Sequence, residues 1–251
     1  MTTLHQAFAQ LHVPGDPLIL FNAWDPGSAA AVARAGARAI ATGSFSVAAA
    51  HGFADGEALP LELALANATR IVKAVELPVT IDFEGGYAAD PAGCAAHHAQ
   101  LAATGAVGCN FEDRVIGGEG LHETAAQAAR IAAVRKSVGA GFFINARTDI
   151  FLQNKPDTHD EAKAKAAIAR AITYAEAGAS GFFIPGLRDL ALIQRICRES
   201  PLPVNVLAFP GGPSTVDFAR AGVARISHGP HPYRLMLKAL EDAARTAHLR
   251  S

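Results

Sequence analysis

A chain of 251 residues that is 50% hydrophobic and 18% charged, with 22 basic against 23 acidic side chains, is not an intrinsically disordered protein. It also has no basic excess with which to grip nucleic acid. The length suits one (β/α)8 barrel or two small domains, and a chain of this size buries enough surface to fold without disulfides or a structural metal. The three cysteines, Cys94, Cys109 and Cys197, are odd in number and lack metal-site spacing, a pattern that fits a reducing cytosol. The start, Met1-Thr-Thr-Leu-His, has no charged region followed by an apolar one. The expectation is therefore a cytoplasmic protein without a signal peptide.

Taken in chain order, short apolar runs suited to buried parallel strands cover residues 18–22, 38–42, 79–82, 107–111, 142–146, 181–184, 204–207 and 224–227. The Ala-rich segment 29–50 is broken by Arg34, Gly36, Arg38, Gly43 and Ser44, so it reads as helix, turn and strand and not as a membrane span. Amphipathic stretches of helical length occupy 62–75, 92–104, 125–138, 160–177 and 190–199. Gly36, Gly105, Gly139, Gly178 and Gly222 each follow a helical stretch and suit a left-handed cap before the next strand. Strands alternating with helices, without a linker or a shift in composition, predict a single (β/α)8 TIM-type barrel. The dinucleotide fingerprint is missing, because the first strand is followed by Asn22-Ala-Trp-Asp-Pro-Gly. The Walker, His-Glu-x-x-His and Gly-x-Ser-x-Gly patterns are missing too.

In such a barrel the chemistry sits at the C-terminal ends of the strands, and there the polar residues crowd. Asn22, Trp24 and Asp25 follow the first strand; Thr42, Gly43 and Ser44 the second; Asp82 and Glu84 the third; Glu112, Asp113 and Arg114 the fourth. Asn145, Arg147 and Asp149 close the fifth, Asn205 the seventh, and Ser227 and His228 the eighth. Asp82 and Glu84 are two apart on a strand and leave the same face, with Glu112 on the next strand. Two readings stand: the acids pair with Arg114 and Arg147, or they share a hard cation, Mg2+ or Mn2+. Arg147 suits bidentate capture of a carboxylate or phosphonate, with a structural pair to Asp149 as the plainer alternative. The Thr42-Gly-Ser turn is able to offer backbone N–H groups to an anionic oxygen.

Five motifs, "IDFEGGY" (81–87), "FEDR" (111–114), "INARTD" (144–149), "PVNVL" (203–207) and "ARISHGP" (224–230), resemble in order those of the isocitrate lyase and phosphoenolpyruvate mutase superfamily. The likeness is greatest to the small bacterial phosphonomutase-like branch, and it runs from Phe21 to Arg234. It implies that Asp82, Glu84 and Glu112, with Asp55 of "HGFADG", surround a Mg2+ directly or through water. It implies also that Arg147 holds a substrate carboxylate or phosphonate, that Gly43 and Ser44 contact the 2-oxo acid end, and that Trp24 and Asn205 line the pocket. The superfamily makes or breaks C–C or P–C bonds next to an enolpyruvate-like intermediate. Its members form oligomers by exchanging a C-terminal helix, for which 233–244, with Leu235, Leu237, Leu240 and Ala244 as a stripe, is the counterpart here.

The chain departs from the pattern at three places. The lyases carry Lys-Lys/Arg-Cys-Gly-His after Glu-Asp, where this chain has Val115-Ile-Gly-Gly-Glu-Gly-Leu-His122; the mutases' Lys and Asn-Ser loop is equally unmatched. Glu84 stands where Asp is usual, and Pro185 where the lyases have Glu. The expectation is a Mg2+-dependent lyase or decarboxylase of a small 2-oxo or 2-hydroxy dicarboxylate, with His122, Tyr87 or His51 as proton donor. A phosphonomutase or phosphonate hydrolase, and a 2-oxo acid binding protein that has lost its gating loop, are the alternatives.

Overall fold

The computed structural model describes residues 3–248. Eight parallel strands, β1 (Leu18–Leu20), β2 (Ile40–Ala41), β3 (Val79–Asp82), β4 (Gly108–Glu112), β5 (Phe143–Arg147), β6 (Gly181–Phe183), β7 (Val204–Leu207) and β8 (Arg225–Ser227), pair in the order β1-β8-β7-β6-β5-β4-β3-β2. A parallel bridge between Ala23 and Thr42 joins the two ends of that sheet and closes the barrel. The fold is the (β/α)8 barrel that the alternation of elements predicts.

The helices among the described residues are α1 (Leu4–Gln10), α2 (Pro26–Arg34), α3 (Ser44–Ala50), α4 (Leu61–Lys73), α5 (Pro91–Ala103), α6 (Thr124–Val138), α7 (Glu161–Glu176), α8 (Leu190–Glu199), α9 (Thr215–Arg220) and α10 (His231–His248). Local sequence explains their starts. Asp25 accepts from the Ser28 N–H, Ser28 answers to the Asp25 backbone, and Pro26 takes the first helical position, where a missing N–H costs nothing. Their ends follow the glycine joints; Gly178, for example, turns at φ +98° to deliver the chain into β6.

Several elements differ from the sequence expectation. β1, β2, β6 and β8 are shorter than the apolar runs, β3 and β7 match them, and β4 and β5 are shifted one residue toward the C-terminus. α1, α3 and α9 are short and carry too little periodicity to be read from the sequence. α1 has a structural task at the N-terminal end of the barrel, where Phe8 and His12 pack on Phe143 with ring centroids 5.3 and 4.1 Å away. Burying a side chain such as Phe8 is worth about 1.5–3 kcal/mol. The opposite end stays open. No helix among the described residues is long and apolar enough to cross a membrane.

Candidate active site

Because all strands run in one direction, Asp82, Glu112, Arg147, Leu207 and Ser227 all end at one rim. On its β4–β5 side the register sets Glu112 directly beside Arg147. Arg147 Nη1 lies 2.7 Å from Glu112 Oε2, while its Nε and Nη2 donate to the two oxygens of Asp149 at 2.6 and 2.9 Å. Asp149 is fixed in turn, its N–H donating to Asp113 Oδ1 at 3.0 Å. Asp113 Oδ2 accepts from Arg170 and from the Tyr174 hydroxyl. Burial works against the Arg147 charge, but Glu112 and Asp149 outweigh it and hold the guanidinium protonated. Burial also drives Glu112 well above the usual carboxylate range, against the pull of Arg147.

The β3 side is built from backbone donors. Asp82 Oδ2 accepts from the Ser44 N–H at 3.0 Å, at the first turn of α3, and Asp82 Oδ1 accepts from Asn110 Nδ2 at 3.2 Å. The anionic oxygen met by the Thr42-Gly-Ser turn is thus the protein's own. Glu84 Oε2 accepts from the N–H groups of Gly56 and Glu57, each at 2.8 Å, and Glu57 Oε1 accepts from the Tyr87 N–H at 2.8 Å. Glu57, Glu84 and Tyr87 sit at φ +60°, +48° and +57°. Such left-handed backbone is costly for these residue types and persists where surrounding contacts enforce it, often at functional sites. Burial, then Asp82 and Asp55, push Glu84 up to about 8. Asp55 is raised by burial and by Asp82. Neither Asp55, Asp82 nor Glu84 takes part in an ion pair with Lys or Arg among the described residues.

Between the two sides lies a cavity of about 280 Å³ lined by Ser44, Asp55, Asp82, Asn110, Arg147 and Phe183, among others. Its floor is tied by Asn22, which accepts from the His228 and Gly229 N–H groups at 2.9 and 2.8 Å and donates to the Thr42 carbonyl at 2.7 Å. Gly43 also borders it. Asn205 stands one layer below, 1% exposed, with its amide on Ser227 Oγ at 3.3 Å, and acts on the cavity only through that serine.

Trp24, His122 and His51 do not line this cavity, and Tyr87 stands beside it. Trp24 borders a separate outer groove and stands edge-on to Tyr233 at 5.1 Å, because the chain turns outward at Asp25 to begin α2. His122 and Tyr87 border a side pocket of about 170 Å³ with Glu57, Arg114 and Arg130. Burial and two arginines, Arg130 and Arg170, lower His122 and keep it neutral at pH 7. Tyr87 additionally reaches the crevice beside Asp82 and Glu84, and burial with those acids holds its proton far into the alkaline range. His51 Nδ1 lies 2.8 Å from the Val47 carbonyl of its own helix. Glu57 and Asn110 are contributors that the sequence reading did not single out, and it gives Asn22 a place at the rim without a role. Glu57 directly follows "HGFADG", but nothing in a sequence announces which loop amides a carboxylate will meet.

The four acids do not form a closed cage: among the described residues no group of three His, Cys, Asp or Glu side chains is placed to hold an ion directly. One oxygen of Glu112 is engaged by Arg147, and one oxygen of Glu84 by loop amides. Asp82 and Asp55 face the cavity, with Glu84 behind them. Such a donor set does not fit a dehydrated ion, but it does fit Mg2+, which is commonly held by one or two carboxylates while keeping several waters.

The phosphoenolpyruvate phosphomutase family model matches residues 8–248. The chain belongs to that family. A candidate phosphonomutase from Burkholderia cenocepacia J2315 superposes with a TM-score of 0.95 at 47% identity, covering 98% of this chain and 99% of that one. An uncharacterised Mycobacterium tuberculosis protein, Rv1998c, is 36% identical over 95% of this chain and 88% of its own length. An oxaloacetate decarboxylase from Pseudomonas aeruginosa is 29% identical over 71% of this chain and 62% of its own. The fold is also that of phosphonopyruvate hydrolase, crystallised with oxalate and Mg2+, at TM-score 0.85 and 21% identity over 98% of this chain and 87% of that one. The family consists of lyases and mutases; the substrate of this member has to be argued from its own site.

Proposed function

We propose that the protein is a Mg2+-dependent lyase of a small 2-oxo or 2-hydroxy dicarboxylate, and specifically an oxaloacetate-type decarboxylase. The observation that carries the reading is the face-off across the cavity: a guanidinium fixed by two carboxylates opposite three acids that make no ion pair with Lys or Arg among the described residues. A dicarboxylate with a 2-oxo group spans such a gap, one end toward Arg147 and the chelating end toward Asp82 and Asp55.

Arg147 binds and orients the remote carboxylate. It is already aimed, so little entropy is lost when the substrate arrives. Asp82 and Asp55 would hold Mg2+, with Glu84 and its loop amides behind them and Gly43 and Ser44 bordering the 2-oxo acid end. When bound, Mg2+ supplies Lewis-acid stabilisation of the charge that builds on the 2-oxo oxygen. Loss of CO2 leaves the electron pair of the broken C–C bond in an enolpyruvate-like intermediate, and one proton must then reach carbon. Tyr87, which borders the crevice beside Asp82, is better placed to hold that proton than His122. Apolar walls such as Phe183 and Leu152 limit water near the reacting carbon. The residues 115–122 hold no thiol, so no cleavage of isocitrate or 2-methylisocitrate is expected, although 2-methylisocitrate lyases are among the relatives at 26–27% identity.

The Burkholderia likeness favours P–C chemistry as the second reading, a phosphonomutase or phosphonate hydrolase. Steady-state assays with oxaloacetate and with phosphonopyruvate, each with and without Mg2+, separate the two. Binding of 2-oxo acids without turnover of either would leave a binding protein.

We propose also that copies of the chain associate through α10, as a dimer or tetramer in the cytoplasm. Leu235, Leu237 and Leu240 are 49%, 42% and 62% exposed on it, and an apolar groove along Phe21, Trp24 and Val32 lies uncovered beside it. Light scattering should give a multiple of the chain mass, and Leu240→Asp should shift it toward the monomer; a monomer in the unaltered protein overturns this.

A further inference from the structure

One charge in the barrel has no part in the chemistry above. Arg225 on β8 is 1% exposed and belongs to the layer directly beneath Ser227. β8 and β4 stand four strands apart in either direction round the barrel, so they face each other across its axis. The Arg225 side chain crosses that axis and donates from Nη2 to Asn110 Oδ1 at 3.1 Å. Its Nε and Nη1 find no partner among the described residues.

An arginine buried only for packing would be expected to satisfy its whole fork, since each buried unpaired donor costs about 1–3 kcal/mol. Here the one bond that is made falls on a decisive atom. Asn110 Oδ1 accepts from both Arg225 Nη2 and Asn145 Nδ2, the latter at 2.9 Å. With two donors on its oxygen, the Asn110 amide has one orientation, which aims its Nδ2 at Asp82 Oδ1. The same carboxylate is held from the other side by the Ser44 N–H. Burial pushes Arg225 down to about 9, and Asp82 is the acid that chiefly opposes this.

We propose that Arg225 is a positioning residue for the candidate site: through Asn110 it fixes the Asp82 carboxylate in the orientation from which it meets cation and substrate. The proposal rests on the reading of Asp82 as the principal metal ligand, yet its geometry can be tested apart from it. Removing Arg225 leaves the Asn110 amide with one donor and free to turn, and the Ser44–Asp82 bond loosens with it.

The test uses the full-length protein with Arg225→Met, which keeps an unbranched apolar stem and removes charge and donors; because Arg225 makes no ion pair among the described residues, its removal strands no opposing charge. In metal-free protein, amide hydrogen exchange at Ser44 should accelerate about tenfold while Val47 and Phe53 on and beside the same helix stay unchanged, and calorimetric Mg2+ affinity should fall by about the same factor, as for other partners that orient ligands. Arg225→Lys, which keeps the charge without the planar donor, should fall between the two. Unaltered Ser44 exchange in folded Arg225→Met, or in Arg225→Lys should the first variant not fold, overturns the proposal. Absence of Mg2+ binding in the unaltered protein overturns the metal reading alone, because Ser44 exchange reports on the carboxylate with no metal present.

Discussion

The two sides of the barrel mouth hold similar numbers of acids and treat them differently. On the β4–β5 side, Glu112 and Asp149 close on Arg147 and Asp113 on Arg170, so every carboxylate has a guanidinium within 3.1 Å. On the β3 side, Asp82 and Glu84 have backbone N–H groups and one asparagine and Asp55 has the Ser44 side chain, and none of the three forms an ion pair with Lys or Arg among the described residues. The first arrangement is finished: each acid is held by a guanidinium, and Arg147 presents a fixed donor. The second is electrostatically incomplete, and the cost is visible in the raised Asp55 and Glu84 and in three residues held at positive φ. A site is most plainly marked where a fold leaves charge uncompensated, and acids left so beside a cavity call for a cation.

The sharpest way to break this comparison is Asp82→Ala. If the β3 side is the cation side, Mg2+ binding by calorimetry should vanish and turnover of oxaloacetate drop by about a thousandfold or more, on the scale of losing a main electrostatic stabiliser. The melting temperature should hardly move, since a half-buried rim carboxylate adds little to the core. Retained Mg2+ binding would mean that the incompleteness has another purpose.

On the finished side the effect should instead fall on stability. Arg147→Met strands Glu112 and Asp149 in the interior and should cost about 3–5 kcal/mol in urea unfolding, the usual penalty for half of a buried ion pair. Affinity for 2-oxo dicarboxylates should fall in the same variant. A variant as stable as the parent would show that the pair is not needed to hold the rim.

A smaller effect separates the sides by pH. Glu84, at about 8 in the folded chain against an ordinary glutamate when unfolded, binds more protons in the native state between those values. Its contribution to stability is therefore full at pH below about 4.5 and is lost as pH rises toward 8. Metal-free Glu84→Gln should show a flatter stability profile over that window than the parent, measured by denaturant titration at several pH values. Equal slopes would place the strain elsewhere.

The smallest effect is expected from thiol chemistry. Burial raises Cys94 and pushes Cys197 up to about 12, and Cys109 is fully buried in β4. Alkylation of the native protein should leave turnover of small 2-oxo acids within error. Inactivation that substrate protects against would require a cysteine in the mouth, where none stands.

Much of this was legible in the sequence because its information is local or periodic. Apolar runs alternating with amphipathic stretches, and glycines at the joints, require nothing beyond strand and helix periods, and they gave the barrel. Parallel strands then force their C-terminal ends to one rim, so chain direction alone puts Asp82, Arg147, Gly43 and Ser44 at the mouth. The register that sets Glu112 beside Arg147 makes the two an ion pair, and no spacing along one chain contains it. The same holds for Trp24, which follows a rim strand but is carried outward by the helix cap at Asp25, and for His122, which the loop after β4 folds into a side pocket. Arg225 is the extreme case. Within "ARISHGP" it is one more basic residue on a strand, and only closure of the barrel brings β8 opposite β4 and turns it into a donor beneath the site. Sequence by itself determined which residues share an end of the barrel, since that follows from chain direction. Tertiary structure alone decided which of them touch, because contacts across the axis and between loops depend on distances that no local period encodes.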